Sequence, residues 1–68
     1  MQMIPVSSSN LAAVGYDQDI MVVSFRNGTA YEYSSVPKSV YEGLLSASSK
    51  GQYFHSFVKG RYSYRKLR

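Results

Sequence analysis

The chain has 68 residues, 44% of them hydrophobic, with a formal net charge of +4. That is one small domain with enough apolar residues for a core, although a chain near this size buries only about 60% of the surface its unfolded form exposes. The absence of cysteine excludes disulfides, thiolate zinc sites and cysteine nucleophiles, and one histidine with four carboxylates (Asp17, Asp19, Glu32 and Glu42) leaves little for a catalytic or metal-binding set.

Met1-Gln-Met-Ile-Pro lacks the charged and apolar stretches of a signal peptide, and no apolar run approaches the roughly 18 residues of a membrane span. A soluble cytoplasmic domain over residues 1–68, without membrane association or cofactor, is therefore expected. After Ile4-Pro5-Val6, the run Ser7-Ser-Ser-Asn10 reads as a polar turn or edge segment. Leu11 to Tyr16 reads as a first strand, weakened by Ala12, Ala13 and Gly15. Asp17-Gln18-Asp19 has turn chemistry. Ile20 to Phe25 is the strongest strand, rich in β-branched residues and bounded by turns. Asn27-Gly28 marks a hairpin, and Thr29 to Tyr33 alternates as its second arm.

Loop length decides which side chains share a face of that hairpin. A two-residue loop would put Val23 beside Glu32. A three-residue Arg26-Asn27-Gly28 loop pairs Phe25 with Thr29, Val23 with Tyr31 and Met21 with Tyr33. The second register collects Met21, Val23, Phe25, Tyr31 and Tyr33 on one face, and leaves Ser24 and Glu32 on the other. It is preferred because a slip of one residue would carry a charge into the apolar set. It requires Gly28 in the left-handed region.

Ser34-Ser35-Val36-Pro37 ends the sheet, and Pro37 suits the first position of a helix carrying Val36, Val40, Tyr41, Leu44 and Leu45 at helical spacing. Gly43 costs that helix about 1 kcal/mol relative to Ala, which suggests close packing on the sheet. Ser48 or Ser49 can cap a second helix over Lys50 to Val58, with Tyr53, Phe54, Phe57 and Val58 as its apolar side and Gly60 at its end. Arg61 to Leu67 alternates and reads as a last strand or an extended tail. The expected class is α+β: an antiparallel sheet of three to four strands with one or two helices on one face. A core this small invites homo-oligomerisation.

Charge is segregated along the chain. Residues 1–49 hold two basic residues against four acids, a balance of −2, whereas residues 50–68 hold six basic residues and no acid, a balance of +6. Tyr53, Tyr62 and Tyr64 lie among the basic residues. Basic side chains neutralise phosphates and release counterions, and tyrosine rings stack on bases, so this interleaving suits RNA or a nucleotide ligand. The bland alternative is a charged, aggregation-resistant edge strand with tyrosines serving the core.

The order of signals is itself distinctive. Val6-Ser7-Ser8 precedes Gly15-Tyr16-Asp17, then a strand ending in Phe25, then Asn27-Gly28, Tyr31-x-Tyr33, Val36-Pro37, Tyr41 and Ser49-x-Gly51-x-Tyr53-Phe54, before a basic, Tyr-containing end. Spread over nearly the whole chain, this set resembles the KTSC domain family, which occurs as short bacterial and viral proteins and at the C-terminus of some lysyl-tRNA synthetases. The resemblance implies a small α+β domain and, through the synthetase context, an RNA ligand.

The expected ligand contacts are phosphate contacts from Lys50, Lys59, Arg61, Arg65 and Lys66, with Arg26 added at the hairpin end. Tyr53, Tyr62, Tyr64 and Tyr33 are candidate stacking residues, although the preferred register puts Tyr31 and Tyr33 with Met21, Val23 and Phe25 in the core. Ser49 with Lys50 at a helix N-terminus forms a candidate phosphate seat without the full Walker spacing, against an ordinary cap as the alternative. His55 is a candidate base or phosphate contact. Asp17 and Asp19 more simply satisfy local backbone N–H groups than bind a cation. No nucleophile–base pair can be named, so a non-catalytic binding module is expected. A small oligomer that sequesters a cyclic nucleotide, or a protein-interaction module, are the alternatives.

Overall fold

The computed structural model describes all 68 residues. In chain order the elements are β1 (Met3–Pro5), β2 (Leu11–Asp17), β3 (Ile20–Phe25), β4 (Ala30–Tyr33), α1 (Lys38–Ser46), α2 (Lys50–Phe57) and β5 (Tyr64–Lys66). The five strands form one antiparallel sheet in the order β1-β2-β3-β4-β5. Both helices are inserted between β4 and β5, so the chain leaves the sheet, packs over one face and returns to complete its edge. No helix is long and apolar enough to cross a membrane.

The β3–β4 hairpin takes the three-residue register. Met21 faces Tyr33 and Val23 faces Tyr31 across the pair. The Phe25 amide donates to the Thr29 carbonyl at 2.8 Å, and Gly28 adopts φ +94°. Asn27 Oδ1 accepts from the Thr29 amide at 3.1 Å and from its hydroxyl at 2.8 Å, which closes the turn with side-chain chemistry. The β2–β3 connection is a two-residue turn with Gln18 and Asp19 both at positive φ (48° and 68°), the type I′ geometry that matches strand twist.

Two features exceed the sequence expectation. The sheet has one strand more than the three to four expected, because Met3–Pro5 pairs with Ala13–Gly15. A bulge at Ala12 separates the Leu11–Phe25 and Ala13–Ser24 pairings. It lets Leu11 and Val14 both face the core while Ala13 faces away. Gly15 is required by the first strand: a Cβ there would sit 2.7 Å from Met3 Sδ and 3.0 Å from the Gln2 carbonyl oxygen.

The core lies between the sheet and the helices. Leu11, Val14, Met21, Val23 and Tyr33 from the sheet meet Val36, Tyr41, Leu44, Phe54 and Val58. Phe54 anchors α2 by edge-to-face contacts with Phe25 (5.4 Å) and Tyr33 (5.6 Å). Phe57, expected on the same apolar side, is 50% exposed and packs on Tyr53 with ring centroids 4.7 Å apart. A helix of eight residues can direct only one stripe inward, and Phe54 and Val58 at i and i+4 occupy it.

Tyr16 joins the two turns at one end of the molecule. Its ring stacks on Tyr41 at 5.0 Å, and its hydroxyl lies 2.6 Å from the Val36 carbonyl, to which it donates, and 3.2 Å from Asp19 Oδ1. Burial, followed by the contact with Asp19, holds this hydroxyl above the ordinary tyrosine range. Asp19 is therefore occupied with local structure. Pro37 sits one position earlier than expected, as the N-cap of α1 rather than its first residue. Gly43 faces α2 rather than the sheet, with the Tyr53 hydroxyl and ring where a Cβ would go.

Candidate functional site

A groove of about 760 Å³ opens beside the tip of the β3–β4 hairpin. It is bounded by the segment entering β2, the hairpin turn, β4, α2 and β5. Its aromatic lining comes from Phe25, Tyr31, Tyr33, Phe54 and Tyr64. Arg26, His55 and Lys59 add basic groups, and none of the four carboxylates lines it. That volume falls in the range of small-molecule and cofactor sites.

The local sequence explains this arrangement. Tyr31 and Tyr33 share a sheet face by strand alternation, and Tyr64 joins them because β5 pairs Tyr64 with Tyr33. Ring centroids of Tyr64 lie 5.7 Å from Tyr31 and 5.9 Å from Tyr33. Tyr33 is 5% exposed and Tyr64 is 64% exposed, so the row grades from core to solvent. Tyr33 is therefore a core residue whose small remaining surface faces the groove. Burial, with Tyr31 and Tyr64 nearby, pushes its hydroxyl up to about 12.

Arg26 is placed by its own backbone and side chain. Its amide donates to the Asn10 carbonyl at 2.8 Å, and its Nε donates to the Ser8 carbonyl at 2.6 Å. Ser8 Oγ in turn accepts from the amides of Asn10 and Leu11, each at 3.2 Å, and shapes the segment that forms this wall. No hydrogen bond within the protein uses the terminal N–H groups of the guanidinium. His55, on α2, and Lys59, just beyond it, are exposed and carry no ion pair.

Of the sequence candidates, the groove brings together Arg26, Tyr33, His55, Lys59 and Tyr64. The others lie outside it. Ser49 is an ordinary helix cap, its Oγ accepting from the Gln52 amide at 3.4 Å, and Lys50 Nζ donates to the Ala47 carbonyl at 3.0 Å. Tyr53 packs against Gly43 and Phe57. Arg61 Nε donates to the Ser56 carbonyl at 2.9 Å, and Tyr62 packs at the edge of the core. Arg65 points to the opposite sheet face, where it pairs with Glu32 at 3.2 Å. Lys66 shares the face of Tyr31 but is exposed beyond the groove.

Sequence reasoning missed Asn10, Phe25 and Thr29 as groove residues. For Phe25 and Thr29 the signal was the turn they flank; Asn10, in the segment entering β2, carried none. No group of three or more His, Asp or Glu side chains comes together as a metal cage.

Comparison with known proteins gives this geometry a family. Residues 7–62 match the KTSC domain model. A KTSC domain protein of Yersinia pestis has the same fold, with a TM-score of 0.92 and 38% identity over 98% of this chain and 97% of that one. A protein of Tsukamurella paurometabola is 40% identical over 62 residues, covering 88% of this chain and 92% of that protein. Lysine–tRNA ligase of Trichormus variabilis is 49% identical over 47 residues. That stretch is 69% of this chain but only 8% of the enzyme, so the chain corresponds to a small part of the synthetase. From its ordered residue pattern through its fold, the chain belongs to the KTSC domain family.

Proposed function

We propose that this domain is a non-catalytic binding module for RNA or another phosphate-bearing nucleotide ligand, and that the groove is its site. The observation that carries the reading is the groove's composition: five aromatic residues and Arg26, His55 and Lys59, without a carboxylate. The exposed Tyr64 ring offers stacking to any base, the buried Tyr33 and Phe54 form the apolar floor beneath it, and Arg26 and Lys59 offer phosphate contact. The occurrence of a related stretch in lysine–tRNA ligases, enzymes that act on tRNA, accords with an RNA ligand.

The groove also narrows the set of contacts. Arg26 and Lys59 carry the phosphate contact, rather than the whole basic C-terminal third, because these two line the groove and Arg61, Arg65, Lys66 and Arg68 do not.

An NMR amide titration at low and moderate salt tests this, using a short mixed-sequence RNA and a panel of cyclic dinucleotides. Shifts at Asn10, Arg26 to Thr29, His55, Lys59 and Tyr64 that fade with salt are expected with RNA. Arg26→Ala/Lys59→Ala should flatten the salt dependence by about 0.7 log units per log unit of salt for each phosphate that is no longer neutralised. Tight, salt-resistant shifts with one cyclic dinucleotide would replace RNA binding by sequestration of a small nucleotide. No shifts with either class would refute both nucleotide readings and leave a protein partner.

A further inference from the structure

We infer that the groove takes an unpaired strand, with the face of a base against Tyr64, and does not take a duplex. This rests on the reading above that the groove binds RNA. Tyr64 is 64% exposed, yet neighbours hold it on one side, with Tyr31 at 5.7 Å and Tyr33 at 5.9 Å. A large ring packed on one side and open on the other is a stacking surface with fewer rotamers left to lose than a ring standing free in solvent. Base faces are available in single strands and at splayed ends. In an A-form duplex they are stacked on one another, and the deep major groove keeps side chains out.

The groove's shape argues the same way. Its rings line a concavity, and its cations come from the hairpin tip and the end of α2. A duplex reader needs the converse, a broad surface of cations meeting phosphates across successive grooves. This domain measures 25 × 25 × 23 Å, and of its Lys and Arg side chains only Arg26 and Lys59 line the groove. The site is therefore short, near the lower end of the about 4–16 nucleotides covered by a small single-strand-binding fold.

Fluorescence anisotropy on the whole domain tests the inference with three probes: a four-nucleotide RNA, an eight-nucleotide RNA, and a blunt hairpin carrying the eight-nucleotide sequence in its stem and closed by a non-nucleotide linker. The single strands should bind at least tenfold more tightly than the hairpin, and the step from four to eight nucleotides should gain less than tenfold. Tyr64→Ala should weaken single-strand binding at least fivefold with a native amide spectrum, and Tyr64→Phe should retain most of it. Hairpin binding as tight as the single strands, still weakened by Arg26→Ala/Lys59→Ala, would overturn the single-strand inference and leave RNA binding at the groove intact. So would unchanged single-strand affinity in a folded Tyr64→Ala variant. Absence of binding to all three probes would overturn the inference together with the reading it rests on.

Discussion

Phe54 and Phe57 are the same residue type on the same short helix, three positions apart, and their environments predict opposite outcomes for one substitution. Phe54 is buried and makes two edge-to-face contacts, at 5.4 Å and 5.6 Å, both with interplanar angles of 75°. Phe54→Leu keeps a branched apolar side chain but removes both ring–ring interactions, each worth about 0.5–1.5 kcal/mol beyond area burial. A loss of about 1–3 kcal/mol is expected. A domain of this size loses about 4–8 °C in Tm for each kcal/mol. Phe57 is half-exposed and makes one ring–ring contact, with Tyr53, so Phe57→Leu should cost less, about 0.5 kcal/mol and at most about 1.5. Thermal and urea unfolding followed by circular dichroism give both values. Because Phe54 also lines the groove, Phe54→Leu should weaken RNA binding while Phe57→Leu leaves it unchanged. Equal destabilisation by the two substitutions would refute the placement of α2's inward stripe and, with it, the groove wall.

Three further outcomes follow from the same geometry. The Tyr33 hydroxyl is raised from 10.0 to about 12, so the folded state holds this proton more tightly than the unfolded state. Its contribution to stability is complete below pH 10 and is lost as pH rises toward 12; Tyr33→Phe should remove that part of the alkaline decline in a pH series of urea melts. Gly43→Ala should gain about 1 kcal/mol of helix propensity in a Tyr53→Ala background and less in the wild type, where the added Cβ meets the Tyr53 ring; a double-mutant cycle with no coupling would contradict that contact. Arg61→Ala/Arg65→Ala should change RNA affinity less than Arg26→Ala/Lys59→Ala at matched salt, and Arg65→Ala alone should cost at most about 1 kcal/mol of stability, because its pair with Glu32 is exposed.

The parts of the fold legible in the sequence were those fixed by alternation. Glu32 between Tyr31 and Tyr33, opposite Met21 and Val23, permits only one hairpin register without burying a charge, and that register is the one found. The first strand escaped notice because Ile4-Pro5-Val6 is too short and too proline-broken to signal pairing; it exists because β2 offers an edge and Gly15 lets the chain approach. The basic and tyrosine lining of the groove was visible as residue types, in Arg26, His55, Lys59, Tyr31, Tyr33 and Tyr64. Its assembly was not, since Asn10, Arg26, Lys59 and Tyr64 meet only after two helices bring the chain back to β4. Composition also overstated the C-terminal block. Alternation along β5 sends Tyr64 and Arg65 to opposite faces, so neighbours in sequence do not share a site.

The returning strand has an energetic consequence. β5 buries none of its three residues, and beyond its ladder to β4 it is tied down by backbone bonds between Ala30 and Leu67 or Arg68 and between Ser34 and Ser63. Such a segment belongs to the low-stability end of a domain, able to open while the core stays folded. Yet it supplies Tyr64, the most open ring of the groove. A ligand gripped by that ring binds only the docked state, so its apparent affinity is scaled by the fraction of molecules with the strand in place. Changes that strengthen or loosen the β4–β5 ladder would then tune binding from outside the groove, without touching a single group that meets the ligand.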